Sequence, residues 1–140
     1  MKKFFLIIVV MFHIPVLANN NIYIIANKTA PVDNITKVEL SDMFLGKKLL
    51  WSNNQRIDVA YIKNTEENNK NFFKDYINIS QKKFQRYWLK KIFSGYGLAP
   101  KVFTESALVI NHVKNTQGAI AVCYIKPPKD ANLKIVTISQ

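Results

Sequence analysis

The sequence predicts a single α/β domain built around a mostly parallel sheet. After residue 18, strand-like runs of β-branched and aromatic residues alternate with amphipathic, helix-like runs, which is typical of strands joined by crossover helices. A chain of 140 residues fits one domain, and 49% hydrophobic residues with 12% aromatic residues suffice for a core. We therefore expect three layers, with helices on both faces of the sheet.

Residues 1–18 are predicted to be a secretory signal peptide. Two lysines precede an apolar run over residues 4–17, and Val16-Leu17-Ala18 offers a cleavage site. The run is shorter than the roughly 20 apolar residues of a membrane span, which makes an uncleaved anchor the less favoured alternative. We expect export to the periplasm as a mature chain of residues 19–140.

The best-defined predicted element is a helix that begins at a capping box. Thr36 and Glu39 have the spacing in which the threonine hydroxyl accepts from the third helical amide and the glutamate reaches back. Gly46 supplies the left-handed residue that ends the helix after Leu45. Trp51 is expected to fold back on that end of the helix.

The remaining elements are predicted from periodicity and from capping residues. Strands are expected at Ile22–Ala26, Arg56–Ile62, Ala119–Ile125 and Leu133–Ile138. Three further helices are expected after the caps Thr65, Ser80 and Thr104. Their apolar stripes are Phe72, Phe73, Tyr76 and Ile77, then Phe84, Tyr87, Trp88, Ile92 and Phe93, then Leu108, Val109, Ile110 and Val113. The lysines between these stripes are interpreted as solvated faces.

Residues suited to catalysis are sparse in this sequence. Cys123 is the single cysteine, and its apolar strand context predicts a small buried side chain. His112 is the only histidine beyond residue 18, and we expect it at the surface of a helix. The sequence contains no paired cysteines, H-E-x-x-H motif, Walker A motif or nucleophile elbow. No metal and no cofactor is therefore predicted, and an enzyme is the least supported class.

An ordered set of motifs carries a family resemblance. The motifs are F-x-G-K at Phe44–Lys47, Trp51, the aromatic pair Phe72-Phe73, W-x-x-x-x-F at Trp88–Phe93, and G-A-I at Gly118–Ile120. From about Ile22 to Ile125 the chain resembles the substrate-binding proteins of phosphate ABC transporters, in particular short, single-lobe members of the type 2 periplasmic-binding-protein family.

This resemblance implies a periplasmic-binding-protein-like single lobe over residues 19–140. It further implies a solute-binding function, with phosphate or another small oxyanion as ligand and a membrane transporter or sensor of an ABC-type system as partner. Full-length members close two lobes over the ligand, whereas this chain is long enough for one.

Two loops are the candidate ligand-binding segments. In open α/β sheets, ligands bind beyond the carboxyl ends of the strands, where loops and helix amino termini present free amides. Asn27-Lys28-Thr29 follows the first predicted strand, and Lys63-Asn64-Thr65 follows the second. Each loop combines amide, hydroxyl and ammonium donors. Ordinary polar turns with a capping threonine are the alternative interpretation.

The second loop departs from the pattern of phosphate-binding relatives. Where they carry R-S-D-x-S-G-T, this chain has Ile62–Asn68. Lys63 does not reproduce the bidentate geometry of arginine, and Glu66 and Glu67 repel phosphate. We therefore expect this chain to share the fold of these relatives but to bind phosphate more weakly than they do.

The charge of the chain leaves other functions open. The formal net charge is +11, and it falls to +9 without Lys2 and Lys3. The lysines are scattered rather than clustered, so nucleic acid is not an expected partner. A ligand-free periplasmic interaction module and an exported protein that binds anionic polymer remain as alternatives. The sequence leaves the oligomeric state open.

Overall fold

The computed structural model describes residues 21–130 and 132–140, so the predicted signal peptide lies outside the described residues. Six strands form one sheet: β1 (Tyr23–Asn27), β2 (Asn34–Thr36), β3 (Asp58–Ile62), β4 (Lys101–Phe103), β5 (Ala119–Cys123) and β6 (Leu133–Ser139). Their spatial order is β2-β6-β1-β5-β3-β4. The short strands β2 and β4 were not predicted from the sequence.

Five of the six strands run in the same direction, and β1 runs against them. β1 is antiparallel to β5 and β6, whereas β2 with β6, β3 with β4, and β3 with β5 are parallel pairs. The predicted α/β fold with a mostly parallel sheet is confirmed. β5 is buried along its whole length, so both faces of the sheet are covered at its centre. The reversed β1 puts its carboxyl end at the edge where β3 and β5 begin.

The helices are α1 (Lys37–Phe44), α2 (Glu67–Phe72), α3 (Gln81–Phe93) and α4 (Ser106–Asn115). α2 continues into a π-helical turn at Phe73–Ile77. A π-helical turn is wider than an α-helical one and shifts the position of the following side chains. With this shift, the consecutive residues Phe72 and Phe73 are both fully buried, and Ile77 is buried as well.

The predicted start of α1 is confirmed in detail. Thr36 Oγ1 accepts a hydrogen bond from the Glu39 amide at 3.1 Å, and Glu39 Oε2 accepts from the Thr36 amide at 3.2 Å. That backbone hydrogen bond lowers the pKa of the Glu39 carboxyl. Gly46 follows the helix with φ of +68°, as expected for its left-handed role.

Of the other three predicted caps, one is confirmed and two are wrong. Ser80 Oγ accepts from the Lys83 amide at 3.2 Å at the start of α3. Thr65 does not cap α2, because Asn64 Oδ1 first accepts from the Glu66 amide and the helix starts one residue later. Thr104 does not cap α4, because β4 extends to Phe103 and the helix begins only at Ser106.

A cluster of aromatic rings joins the helices to the sheet. Phe44 of α1 contacts Phe72 with ring centroids 5.2 Å apart. Phe84 of α3 contacts Phe73 at 5.0 Å and Tyr61 of β3 at 5.2 Å. All five side chains are buried. Rings at these separations in tilted or edge-on arrangements add to the stabilisation from burial itself.

The indole that covers the end of α1 belongs to Trp88, so the prediction that Trp51 folds back there is wrong. Trp88 Nε1 donates to the Phe44 carbonyl oxygen at 2.9 Å. A Cβ atom on Gly46 would lie 2.6 Å from the Trp88 ring, so only glycine allows this approach. Trp51 is buried beside the start of β5, where its Nε1 donates to the Gly118 carbonyl oxygen at 2.9 Å. The preceding residue, Leu50, pairs with Arg56 in an isolated β-bridge.

Three residues of the predicted apolar stripes are exposed, contrary to expectation. Ile92 and Phe93 in the last turn of α3 are 50% and 83% exposed, and Leu108 in the first turn of α4 is 46% exposed. Trp88 is the last buried residue of α3, so the final turn of this helix extends beyond the core.

Replacing Trp88 with alanine should lower the free energy of unfolding by about 3 to 5 kcal/mol, because it leaves a cavity over Gly46 and removes a buried hydrogen bond. Leu89→Ala is the matched control, since Leu89 is the next residue of α3 and is 56% exposed. Its effect should stay within about 0.5 kcal/mol. Urea unfolding of both variants measures the difference, and equal losses would contradict the placement of Trp88.

Candidate functional site

A polar cleft of about 490 Å³ opens at the carboxyl edge of β3 and β5. Its lining residues come from the β3–α2 loop, the start of α4 and the end of β5; they are Asn64, Glu66, Asn68, Thr104, Glu105, Ser106, Ala107, Tyr124 and Ile125. This edge is the one at which parallel strands of open α/β sheets present loops and helix starts to ligands. The cleft is therefore the candidate functional site.

The floor of the cleft is shaped by hydrogen bonds to the Asn64 carbonyl oxygen. This oxygen accepts from Asn69 Nδ2 at 3.0 Å and from Gln81 Nε2 at 2.9 Å. The Asn64 side chain accepts from the Glu66 amide at 3.2 Å and so closes a tight turn before α2. The turn, α2 and the first residue of α3 are thereby held together.

Asn69 is the central member of this network and is completely buried. Its Nδ2 also donates to Gln81 Oε1, and its Oδ1 accepts from the Tyr124 hydroxyl at 2.5 Å. A buried side-chain amide is costly unless its donors and acceptor are paired, and here both ends are paired within the protein. The network therefore joins α2 and α3 to the segment that follows β5.

Tyr124 reaches this network from a buried position. Burial raises the pKa of its hydroxyl, with the nearby Cys123 and Glu66 as smaller causes, so the group remains a proton donor at neutral pH. The Tyr124 amide donates to Ser106 Oγ at 2.9 Å, which ties the start of α4 to the end of β5. The Ser106 hydroxyl proton remains available to a group in the cleft.

Cys123 precedes Tyr124 and is fully buried, as the sequence predicted. Burial raises the pKa of its thiol to about 12. The protonated thiol is a weak nucleophile, and it lies 3.4 Å from the Ile125 carbonyl oxygen as a donor. Cys123 therefore has a packing role in β5.

The charged side chains that line the cleft are both carboxylates. Glu66 and Glu105 occupy the positions just before α2 and α4, where negative charge is favoured by the helix dipole. No lysine or arginine side chain is among the residues that line the cleft in the described part of the chain. The electrostatic potential at the cleft is therefore less favourable to an anion than the basic composition of the chain suggests.

The structure places three of the six predicted site residues at this edge. Asn64 lines the cleft, and Lys63 and Thr65 flank it with exposed side chains. The Lys63 amide donates to the Phe103 carbonyl oxygen at 2.8 Å, which continues the pairing of β3 with β4. Lys63 Nζ forms no ion pair within residues 21–130 and 132–140.

Asn27, Lys28 and Thr29 lie at the opposite edge of the sheet, so one ligand cannot contact both predicted loops. Asn27 is 5% exposed, and its Nδ2 donates to the carbonyl oxygens of Val113 at 2.8 Å and Lys114 at 3.2 Å. A site shared by both loops requires that β1 and β3 run in the same direction. The antiparallel β1 reverses the first loop.

The hydrogen bonds of Asn27 and Thr29 are used within the protein. Asn27 Oδ1 accepts from the amide and the hydroxyl of Thr29, at 3.0 and 2.8 Å. Thr29 Oγ1 in turn accepts from the Gly118 amide at 3.0 Å. These contacts fasten the carboxyl end of α4 and the start of β5, which matches the alternative interpretation of a structural polar turn.

The opposite edge also holds the most polar cluster outside the cleft. His112 Nε2 lies 2.7 Å from Asp58 Oδ1, and its Nδ1 lies 3.3 Å from Thr116 Oγ1. Lys101 Nζ lies 3.1 Å from Asp58 Oδ2. The His112 side chain is only 13% exposed, so its predicted surface position is wrong: the pairing with Asp58 draws it inward and ties α4 to β3. No group of three or more potential metal ligands occurs within residues 21–130 and 132–140.

Sequence reasoning missed Asn69, Gln81, Ser106 and Tyr124. One signal was present, because Asn69 precedes Phe72 and Phe73 by three and four residues and so falls on the apolar stripe of its helix. A polar residue on a buried stripe indicates a buried hydrogen-bond network. The partners of Asn69 come from distant segments and carry no comparable signal.

Comparison with solved structures identifies the same overall fold in phosphate-transport proteins. The chain matches a protein assigned as a phosphate ABC transporter substrate-binding protein, solved with bound phosphate, from Clostridium perfringens, with a TM-score of 0.63 and 16% identity. The predicted resemblance in fold is confirmed. An ABC-type phosphate transport receptor from Vibrio cholerae matches with a TM-score of 0.61 and 16% identity, and PstS from Borrelia burgdorferi with 0.63 and 15%.

These matches cover 84% of this chain but only 44%, 45% and 46% of the respective proteins. The chain thus spans less than half the length of the phosphate-transport proteins, consistent with a single-lobe relative. No protein-family model matches the sequence, and no curated protein matches it either. At this level of identity the likeness concerns the fold, and the chemistry of the cleft has to be argued from its own residues.

Replacing Tyr124 with phenylalanine should lower the free energy of unfolding by about 1 to 3 kcal/mol, because buried Asn69 Oδ1 loses its donor. Tyr96→Phe is the matched control, since Tyr96 is 69% exposed and its hydroxyl is hydrated. Chemical denaturation measures both variants. If Tyr124→Phe were as stable as Tyr96→Phe, the network would not hold the cleft together.

Proposed function

We propose that the mature chain is an exported, solute-binding domain that serves an ABC-type transport or sensing system in the periplasm. The observation that carries this proposal is the cleft at the carboxyl edge of β3 and β5, in a fold shared with substrate-binding proteins. Support for a binding role rather than an enzymatic one comes from the cleft itself, where the hydroxyls of Tyr124 and Ser106 make structural hydrogen bonds.

The proposed ligand is a small oxyanion such as phosphate, bound weakly by the isolated chain. The Ser106 hydroxyl, the Thr104 hydroxyl and the Lys63 ammonium group are the donors available at the cleft and its rim. Glu66 and Glu105 oppose an anion, and no arginine fork compensates for them. A single solvent-exposed charge contact contributes about 0 to 1 kcal/mol, which is too little for tight binding.

A ligand-free interaction module is the second candidate. It is favoured by the internal pairing of Asn64, Asn69, Gln81 and Tyr124, which leaves few buried polar groups in need of a ligand. In this case the fold would be retained for contact with a transporter or sensor, and the cleft would contain only water.

Titration of phosphate and sulfate into the mature monomer, followed by calorimetry and by tryptophan fluorescence, tests the proposal. We expect saturable phosphate binding in the millimolar range, equivalent to about −4 kcal/mol, because the donors are few and exposed. Changing Lys63 and Thr65 together to alanine should weaken it, because the double variant removes the Lys63 ammonium group. Lys28→Ala removes the same charge at the opposite edge and should leave binding unchanged.

The other outcomes separate the two candidates. Absence of any saturable signal would favour the interaction module and contradict the solute-binding proposal. Micromolar binding that is lost in the Lys63→Ala, Thr65→Ala double variant would support solute binding but contradict the expectation of weak affinity. Repeating the titration with the native complex shows whether a partner completes the site.

A further inference from the structure

The last turn of α3 and the loop that follows it present a cluster of exposed apolar side chains. We call this cluster the α3 tip; its members are Leu89 (56% exposed), Ile92 (50%), Phe93 (83%), Tyr96 (69%) and Leu98 (73%). All five lie within ten consecutive residues. Single exposed apolar residues are common on protein surfaces, whereas a contiguous group of this kind marks an interaction surface.

Two glycines in the loop of the α3 tip have left-handed backbone conformations and open space beside them. Gly95 and Gly97 have φ values of +78° and +63°, and a Cβ atom built on either would have no neighbour within 4 Å. The Cβ side of both glycines therefore faces open space. Exposed apolar side chains at the end of an amphipathic helix can enter the headgroup region of a bilayer.

The exposed face of α3 is strongly basic next to the tip. Four cationic side chains form what we call the basic band: Lys82, Lys83, Arg86 and Lys90. None of them forms an ion pair within the described part of the chain, and α3 contains no acidic residue. The band is thus an uncompensated positive surface.

One stripe of the helix joins the band to the tip. Lys82, Arg86, Leu89 and Phe93 follow at spacings of four, three and four residues, which puts them on the same side of an α-helix. Lys91 differs from the band, because its Nζ lies 5.0 Å from the Tyr87 ring centroid and donates to the Leu45 carbonyl oxygen at 3.2 Å. The exposed stripe is cationic in its first half and apolar in its second half.

We propose that the α3 tip and the basic band bind the surface of an anionic phospholipid bilayer. Phe93, Tyr96 and Leu98 enter the headgroup region, and the cations of the band contact lipid phosphates. Aromatic and aliphatic side chains beside Lys and Arg on an amphipathic helix are the residues that interfacial segments use. No helix in the described residues is long and apolar enough to cross a membrane.

The α3 tip is distant from the cleft along α3, whereas Lys82 of the basic band directly follows Gln81. Gln81, at the amino end of α3, belongs to the network under the cleft, whereas Phe93 is the last residue of the helix. Twelve rises of 1.5 Å separate them by about 18 Å along the helix axis. The cleft and the α3 tip therefore lie toward opposite ends of α3.

Co-sedimentation of the mature protein with lipid vesicles tests the proposal. Vesicles of phosphatidylcholine and phosphatidylglycerol should retain the protein, and vesicles of phosphatidylcholine alone should retain much less. Raising the sodium chloride concentration should weaken the binding, because salt screens the attraction between the band and the lipid phosphates. Retention that does not differ between the two vesicle types would overturn the proposal.

Two pairs of variants locate the surface. Phe93→Ser with Leu98→Ser should reduce the partition coefficient at least tenfold through loss of buried apolar area. The control Val38→Ser with Ile135→Ser removes apolar residues that are 70% and 50% exposed on α1 and β6, and should leave partitioning unchanged. Melting temperatures of all variants establish that they remain folded.

Lys82→Gln with Arg86→Gln should also weaken the partitioning, by about 25-fold, because each of the two cations near an anionic surface contributes about fivefold. Lys126→Gln with Lys129→Gln gives the same net charge change in the exposed loop after β5 and should have little effect. Equal losses in both charge variants would attribute binding to net charge alone and overturn the assignment to α3. Binding to an acidic polypeptide such as polyglutamate, without binding to the anionic vesicles, would also overturn it.

Discussion

The close approach of the chain to Gly118 is the contact on which the arrangement of the sheet depends. The Gly118 amide donates to Thr29 Oγ1, and its carbonyl oxygen accepts from Trp51 Nε1 and from the Asp58 amide. A Cβ atom at this position would lie 2.3 Å from the Arg56 carbonyl oxygen, and φ is +72°. One residue without a side chain thus joins the loop after β1, the segment before β3 and the start of β5.

The two edges of the sheet differ in how their polar groups are paired. At the edge of Gly118, the Asn27 side chain donates to α4 and the Thr29 hydroxyl accepts from the start of β5. These polar groups are therefore already paired within the protein. At the opposite edge, the chain keeps an open cleft whose buried polar groups are paired through Asn69. The contacts of the proposed ligand are therefore limited to the hydroxyls and the charged groups around that cleft, where the carboxylates of Glu66 and Glu105 oppose phosphate.

Local signals in the sequence predict much of the fold, but they do not predict how distant strands pair or in which direction each strand runs. The capping box of Thr36 and the left-handed Gly46 depend on neighbouring residues and were found correctly. The antiparallel direction of β1 depends on pairing with β5 and β6, about a hundred residues away, and it puts the first predicted loop at the opposite edge of the sheet from the second. Phe93 fits an apolar stripe by spacing, yet it is exposed because no element of the described chain covers the end of α3.

The unfolding free energies of Gly118→Ala and Gly97→Ala test the central role of Gly118 most directly. Both glycines have positive φ, so both variants should lose about 1 to 2 kcal/mol from the left-handed backbone alone. Only Gly118→Ala forces a Cβ atom against the backbone of Arg56, and its loss should be larger by about 1 to 3 kcal/mol. Equal losses in the two variants would contradict the account, because they would mean that the sheet does not depend on this close approach.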